Sequence, residues 1–356
     1  MMKKNDDQMN LLKEHNQKEY RIAMQKERRK DAFQEVYQLV RNVVLAGIII
    51  GVGIYFAAMW YFQELPIKEI DEFDQAQVAE IITEITRPLA YHEVGFRMYS
   101  QYALLINLST GRILFEHQAD VQAYPASLTK MMTVLIGIEQ GTLTDRVTVQ
   151  ADFDELFRAG LIQSGFRYGE VRTLSEILHG IMLPSGAEST WALAYHIAGS
   201  YEAFVALMNE KAMEIGMYDT HFVTATGLHD ENHYTTAHDM AILLQYALEN
   251  PVFKEIFTAR TYELETPNSQ GSTLYSTLFR AAPRTTFEGG EIIGGRTGFT
   301  TPAGRCLASL ATDGTDEFIL ITFGAPDPDF TNQNAHILDA LTIYEYFLAV
   351  RHHVHH

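Results

Sequence analysis

A run of uncharged residues constrains this chain more than any other feature. It occupies residues 43–62 and reads VVLAGIIIGVGIYFAAMWYF. A helix of that length spans about 30 Å, which is the thickness of the hydrocarbon core of a bilayer. The run therefore predicts a single membrane-spanning helix, with Trp60 and Tyr61 at the outer interface.

The charges on either side of this run predict its orientation. The flanking charges are Lys26, Arg28, Arg29, Lys30 and Arg41 before it, and Glu64, Glu69, Asp71, Glu72 and Asp74 after it. Because basic flanks stay in the cytoplasm, we expect a single-pass protein of the cell membrane with its N-terminus inside and the rest of the chain outside. A cleaved signal peptide and a buried soluble helix are the alternatives. The first is disfavoured because the charged region before the run, about forty residues, is too long for a signal peptide.

The predicted organisation has five parts. They are a cytoplasmic tail at 1–42, a membrane helix at 43–62, an extracytoplasmic stalk at 63–90, a globular domain at 91–350 and a His-rich tail at 351–356. Within the membrane helix, Gly47 and Gly51 form a G-x-x-x-G pattern and are a candidate dimer contact. Glycine is common in membrane helices in any case, so the pattern alone favours a monomer over a dimer.

The composition excludes several classes of protein. Hydrophobic residues make up 47% of the chain, which excludes a disordered protein, and a single Cys excludes a disulfide framework. Residues 1–41 carry ten Lys and Arg against seven Asp and Glu, whereas the remainder carries 17 against 38. A domain this acidic repels a phosphate backbone, so we expect no binding of nucleic acid.

The hydrophobic pattern of the globular part predicts an α/β fold. Two strands, at 102–107 and 112–116, are joined across Ser109-Thr110-Gly111, which is a hairpin signal. A long helical stretch follows, and then more strands and a last helix; these lie at 127–257, 292–294, 305–311, 318–323 and 332–349. This order favours an antiparallel sheet with flanking helices and an inserted helical lobe.

A Ser-x-x-Lys motif opens the helical stretch. Ser127 and Lys130 are three residues apart, so they lie on one face of a helix that is predicted to end at Gly141. A serine hydroxyl becomes a good nucleophile when a base takes its proton, and a lysine can be that base when burial lowers its pKa. The ordinary interpretation is a helix-capping serine beside a solvated lysine, and the motif alone favours that one.

Two further motifs favour serine activation over this ordinary interpretation. Ser185 follows Pro184, which ends a helix predicted from Leu174 to Met182. Much later, the segment GGRTGF ends one strand-like run, and its Arg296 and Thr297 can hold a carboxylate.

With these motifs, residues 95–350 resemble the D-alanyl-D-alanine carboxypeptidases, the low-molecular-mass penicillin-binding proteins of peptidase family S11. The segments STGRILFEHQADVQAYPASLTKMMT, ATGLHDENHYTTAHDMA and GGRTGFTTPAGRCLAS carry the resemblance. It implies a transpeptidase-like, β-lactamase-like α/β sandwich with its cleft beside a helical lobe. It also implies peptidoglycan stem peptides as substrates, β-lactams as covalent inhibitors, and no metal or cofactor.

The resemblance also implies the roles of individual residues. Ser127 corresponds to the acylated nucleophile, Lys130 to its base, and Ser185 to the serine that passes a proton to the departing D-alanine. Arg296, Thr297 and Gly298 correspond to the Lys-Thr-Gly strand that binds the terminal carboxylate of the substrate. The main-chain N–H groups of Ser127 and Phe299 correspond to the oxyanion hole.

The chain departs from the family pattern at two positions. The second motif normally reads Ser-x-Asn, but position 187 is Ala, and Glu188 is the nearest polar replacement. The third motif normally begins with Lys, but here it begins with Arg296, which keeps the charge and cannot lose its proton. We expect these changes to slow catalysis or alter its specificity.

Other candidate residues have less support. His229, His233 and His238 have spacings compatible with zinc, but they lie in a loop that leads into a helix capped near Thr236. The tail histidines at 352, 353, 355 and 356 are interpreted as an exposed tail, and Cys306 as a small buried hydrophobic residue.

Three functions remain open from the sequence. The first is a membrane-anchored serine carboxypeptidase that removes the terminal D-alanine from stem peptides. The second is a catalytically impaired relative that binds peptidoglycan or a partner protein. The third is another acyl-serine enzyme, such as a β-lactamase or an esterase.

Overall fold

The computed structural model describes residues 89–90, 94–151, 153–326 and 334–354. The predicted cytoplasmic tail and membrane helix, the candidate glycine contact and most of the stalk lie outside these residues. None of the helices within the described ranges is long and apolar enough to cross a membrane. The predictions for residues 1–88 therefore stay predictions.

A seven-stranded sheet forms the centre of the globular part, with the strand order β1-β3-β2-β11-β10-β9-β8. Its strands are β1 (Leu89–Ala90), β2 (Tyr102–Asn107), β3 (Ile113–His117), β8 (Thr286–Phe287), β9 (Gly290–Thr300), β10 (Gly304–Thr312) and β11 (Glu317–Ala325). All neighbouring pairs are antiparallel except β1 and β3, which are parallel. Because β8 pairs only with the first two residues of β9, it leaves the later part of β9 without a strand on that side.

Alternate side chains of the sheet face two different helical layers, as the pleat of a strand requires. Leu104 and Ile106 of β2 belong to the core that packs against the helical lobe. Ala103 and Leu105 belong to a second core beneath the C-terminal helix, which contributes Ile337 and Tyr344. The sheet is therefore buried on both faces, which explains the nearly continuous apolar character of its central strands.

The helices are α1 (Lys130–Gln140), α2 (Phe153–Arg158), α3 (Leu174–Met182), α4 (Ala187–Ala198), α5 (Tyr201–Ile215), α6 (Ala237–Leu248), α7 (Pro251–Thr258), α8 (Thr277–Ala281) and α9 (Ala335–Val354). Two hairpins stand apart from the central sheet: β4 (Arg146–Thr148) with β5 (Val171–Thr173), and β6 (Thr261–Asn268) with β7 (Gly271–Tyr275). The helices from α1 to α7 form the lobe, and α9 covers the opposite face of the sheet.

The main outline agrees with the sequence prediction. The first hairpin, the three later strand-like runs and the terminal helix all form, and α3 spans Leu174–Met182 as predicted. The predicted helix that opens at Ser127 begins instead as a 3-10 turn, Ala126–Thr129, and becomes regular at Lys130 before it ends at Gly141. The 127–257 stretch is also less continuous than predicted, because β4, β5 and the 216–236 loop interrupt it.

Candidate active site

The 3-10 turn Ala126–Thr129 places Ser127 at the start of α1, where the helical lobe meets the edge of the sheet. Ala126 has a φ of 45°, an uncommon value for a residue with a side chain. Gly227, at a φ of +81°, lies against this turn so closely that a Cβ there would lie 1.9 Å from the carbonyl oxygen of Ala126. Only glycine can occupy such a position, and it fixes the turn from the side of the lobe.

Lys130 is buried next to Ser127. Its Nζ lies 3.4 Å from the Ser127 Oγ and donates to the main-chain carbonyl of Thr226 over 2.5 Å. Burial lowers the pKa of Lys130 well below its usual range, the charge of Arg296 lowers it further, and Glu188 opposes both effects. An amine with a depressed pKa beside a serine hydroxyl is the arrangement that serine activation requires.

Ser185 completes the group from the loop after α3. Its Oγ lies 3.2 Å from the Ser127 Oγ, and its backbone adopts a φ of 78°. A serine in the left-handed region costs about 1–2 kcal/mol, so the surrounding contacts hold it there. The fold thus brings Ser127 and Lys130 of the first motif together with Ser185 of the second.

Arg296 lies behind the surface of the cleft and is completely buried. Its Nε donates to the main-chain carbonyl of Ser127 over 3.1 Å, its Nη1 to that of Met182 over 2.8 Å, and its Nη2 to the Ser185 hydroxyl. Burial lowers the pKa of Arg296 to about 9, so it remains cationic at neutral pH. In this geometry the guanidinium binds protein groups on three sides, whereas the sequence suggested a direct contact with the substrate.

The cleft above these residues has a volume of about 290 Å³. Thr297, Gly298 and Phe299 of β9 form one wall, and Gly160, Leu161 and Ile162 form another. A Cβ at position 298 would lie 3.0 Å from the main-chain nitrogen of Ser127, so this glycine allows the strand to approach the turn. The Thr297 hydroxyl donates to that of Thr277 over 2.8 Å.

Ala187 is the first residue of α4 and is buried, and it supplies no amide where the family motif has one. The adjacent Glu188 is also buried and accepts the N–H groups of Gly165 and Phe166 through Oε1, over 2.8 and 3.1 Å. Its Oε2 has no hydrogen-bond partner among the described residues, and burial raises the pKa of this carboxyl. Glu188 therefore acts on Lys130 through its charge and does not replace the missing amide by contact.

Comparison with known proteins agrees with this geometry. The family profile described as D-alanyl-D-alanine carboxypeptidase, peptidase S11, matches residues 90–327. The chain belongs to this family. It is 34% identical over 254 residues to the D-alanyl-D-alanine carboxypeptidase DacF of Bacillus subtilis, which covers 68% of this chain and 62% of that protein. It is 32% identical over 235 residues to DacC of Escherichia coli, with 62% and 56% covered, so it spans about six-tenths of the length of these relatives.

Solved structures give the same result for the fold of this S11 chain. A Streptomyces DD-transpeptidase superimposes with a TM-score of 0.63 at 25% identity, covering 72% of this chain and 99% of that one. A D-alanyl-D-alanine carboxypeptidase from Mycobacterium tuberculosis gives 0.59 at 24% identity, with 70% and 91% covered, and supports the fold alone. The transpeptidase-like α/β sandwich expected from the sequence is confirmed.

Each of the candidate zinc histidines makes its own protein contact in this S11 structure. His233 is buried, and its Nδ1 accepts the N–H groups of Val223 and Thr224 over 2.9 and 3.2 Å. Its Nε2 therefore carries the proton and donates to the Thr129 hydroxyl, 2.8 Å away, in the turn that holds Ser127. Burial lowers the pKa of His233 to about 3, so it is neutral and supports the turn.

The structure also shows the surroundings of the remaining candidate residues. His238 lies 2.7 Å from a carboxylate oxygen of Asp120, and the ring of His229 packs edge-on against Tyr124. Within the described part of the chain, no group of His, Cys, Asp or Glu side chains could hold a metal ion. Cys306 is buried in β10 as predicted, and burial raises the pKa of its thiol to about 12.

Besides Leu161, Ile162 and Thr277, two basic side chains line the cleft that were not predicted from the sequence. Arg305, at the start of β10, and His336, at the start of α9, both contribute to its wall. The sequence placed 305 at the beginning of a strand, and the strand register opposite Phe299 was the only signal that could have put it in the cleft. His336 is brought there by the packing of the last helix, which no local pattern indicates.

Proposed function

We propose that this S11 chain is a membrane-anchored serine carboxypeptidase that removes the terminal D-alanine of peptidoglycan stem peptides. One observation carries the proposal: the Ser127 hydroxyl lies at the base of a cleft, within 3.4 Å of a buried Lys130 amine and 3.2 Å of the Ser185 hydroxyl. The substrate class rests on family membership. D-alanine release from a diacyl-L-Lys-D-Ala-D-Ala peptide tests it.

In the acylation step, the Ser127 Oγ attacks the carbonyl carbon between the two D-alanines. The hydroxyl proton moves to the neutral Lys130 amine as the oxygen–carbon bond forms. The negative charge that develops on the carbonyl oxygen is stabilised by main-chain N–H groups of Ser127 and Phe299. The carbon–nitrogen bond then breaks, and the proton passes through the Ser185 hydroxyl to the departing D-alanine nitrogen.

In the second step, water attacks the acyl-serine and Lys130 again accepts a proton. The ester bond between the acyl carbon and the Ser127 oxygen then breaks, and the proton on Lys130 passes to that oxygen. The products are the shortened peptide and free Ser127, so atoms and charge balance without a metal or cofactor. In this scheme Arg296 acts by position and charge. It holds the Ser127 carbonyl and the Ser185 hydroxyl, and it favours the neutral form of Lys130 that both steps need.

The membrane anchor is a separate part of the proposal. It is supported by the uncharged run at 43–62 and by the change from basic to acidic residues across it. Protease added to cells stripped of their wall should digest the chain beyond residue 63 and spare the N-terminal tail. Protection of the C-terminal domain from the protease would show that the orientation is opposite to the proposed one.

The impaired relative is the alternative that the missing amide at Ala187 raises. A fluorescent penicillin labels Ser127 in both cases as long as acylation survives. Turnover of the peptide substrate separates them, because a binding protein releases at most one D-alanine per chain. Rapid hydrolysis of the β-lactam itself would instead favour a β-lactamase.

A further inference from the structure

The burial of Arg296 leaves the terminal carboxylate of the substrate without a direct cationic ligand from the third motif. All three nitrogens of its guanidinium donate to protein groups, and the side chain has no exposed surface. A charge in that position attracts an anion through the protein but cannot form a paired hydrogen bond with it. Any direct cationic contact with the carboxylate therefore comes from a different side chain.

Among the described residues that line the cleft, the basic side chains are Lys130, Arg305 and His336. Lys130 must be neutral to accept the serine proton, so it cannot serve as the permanent cation. His336 is almost fully buried, so little of its side chain can meet a ligand in the cleft. Arg305 is partly exposed at the cleft, and an arginine stays cationic and offers a planar fork that matches a carboxylate.

The strand register gives Arg305 the right position. Arg305 of β10 lies directly opposite Phe299 of β9, and Thr297 lies two residues earlier on the same face of β9. The distance along the strand from Phe299 to Thr297 is about 7 Å, which an extended arginine side chain can cover. The guanidinium of Arg305 can thus meet a carboxylate that is held at Thr297.

The ring of Phe299 holds this guanidinium at the mouth of the cleft. The central carbon of the Arg305 guanidinium lies 5.1 Å from the centre of the ring. A cation above an aromatic face is attracted to it, and the contact limits the positions the side chain samples before substrate arrives. Phe299 itself is 44% exposed, so the pair is accessible to a ligand.

We propose that Arg305, positioned by Phe299, is the direct ligand of the substrate's terminal carboxylate and sets the preference of the enzyme for peptides with a free C-terminus. The proposal rests on the proposed carboxypeptidase function and refines it. The two arginines then have different roles. Arg296 positions Ser127 and Ser185 from beneath the cleft surface, and Arg305 binds the substrate within the cleft.

The test compares diacetyl-L-Lys-D-Ala-D-Ala with its C-terminal amide, using the full-length chain in detergent. Arg305→Gln should lower kcat/KM for the acid by ten- to a hundredfold, equivalent to about 1.4 kcal/mol per factor of ten, and leave the amide within twofold. Arg305→Lys should recover part of the loss. Arg260→Gln is the matched control, because Arg260 also stacks on a phenylalanine, 4.4 Å from the Phe279 ring, but does not line the cleft.

An unchanged ratio of acid to amide in Arg305→Gln would overturn the assignment, as would a loss of that ratio in His336→Gln with Arg305 intact. Calorimetric binding of both peptides to Ser127→Ala separates this inference from the proposed function, since it needs no turnover. In Ser127→Ala, the acid peptide should bind at least tenfold more tightly than the amide peptide. This difference should disappear when Arg305 is also replaced. Failure of the wild-type chain to release D-alanine would refute the proposed function, and the binding comparison would still decide the role of Arg305.

Discussion

The guanidinium of Arg296 donates a hydrogen bond to the main-chain carbonyl of Ser127 over 3.1 Å. The same side chain donates to the hydroxyl of Ser185, so one residue of β9 connects Ser127 and Ser185. A charge-assisted hydrogen bond is stronger than a neutral one, and these bonds are buried. The third motif therefore contributes to the arrangement of Ser127 from behind the cleft, and it also lines the cleft through Thr297.

Arg296→Lys and Arg296→Gln test this positioning role. Lysine keeps the cation but reaches fewer acceptors, so we expect kcat/KM for the peptide to stay within about tenfold of the wild type. Glutamine removes the charge, and the loss of one such contact, about 1.5–3 kcal/mol, corresponds to about ten- to a hundredfold in kcat/KM. Both the free-acid peptide and its amide should be affected alike. A loss confined to the acid would mean that Arg296 binds the carboxylate directly, as the sequence first suggested.

The pH dependence of acylation should respond to the two charges near Lys130. In the proposed mechanism the neutral amine of Lys130 is the base, so the rate of penicillin acylation should fall as the pH drops through the pKa of Lys130. Arg296 lowers that pKa and Glu188 raises it. Arg296→Gln should therefore move the acidic limb to higher pH, and Glu188→Gln should move it to lower pH.

Stopped-flow labelling across the pH range measures this limb, and Glu263→Gln, at an exposed position of β6, is the matched control. Shifts in the same direction for both variants would contradict the assignment of Lys130 as the base. An acidic limb that stays at the same pH in both variants would also contradict the assignment of Lys130 as the base.

Gly227 should be essential for the turn that carries Ser127. In Gly227→Ala the new Cβ would lie 1.9 Å from the Ala126 carbonyl oxygen, and the φ of +81° would strain the backbone. Backbone strain and overpacking together should lower the free energy of unfolding by about 2–6 kcal/mol. Gly111→Ala is the control: its φ of +67° is similar, but nothing lies within 4 Å of the new Cβ, so the cost should be about 1–2 kcal/mol.

Thermal or urea unfolding of the two variants gives the difference, and penicillin labelling reports the turn itself. Equal destabilisation by the two alanines would show that the contact with Ala126 does not constrain the turn.

The sequence predicted the features that depend on local pattern. The turn residues Ser109-Thr110-Gly111 between two strand-like runs predicted the hairpin of β2 and β3. The Thr236 cap was correct because its hydroxyl accepts the N–H of Asp239 over 3.0 Å. The hairpin of β6 and β7 was missed because its residues are mostly exposed and polar. Strand β1 was missed because a two-residue strand leaves no periodicity.

The residues of the candidate site could be named from the sequence, but their burial, backbone conformation and contacts could not. Ser127, Lys130 and Ser185 were found because their motifs carry chemistry that is recognisable from residue type and spacing. The burial of Arg296 depends on the carbonyl of Met182, 114 residues away, and the left-handed Ser185 depends on the fold around it. Arg305 reaches the cleft through strand register, which a single sequence does not specify.

The most direct test of this account is D-alanine release by the full-length chain, in detergent, from diacetyl-L-Lys-D-Ala-D-Ala, followed by enzymatic detection of the free amino acid. We expect many turnovers per chain for the wild type and none above background for Ser127→Ala. The thermal transition of Ser127→Ala should stay close to that of the wild type, because one hydroxyl contributes little to stability. No release by the wild-type chain, or undiminished release by Ser127→Ala, would contradict it.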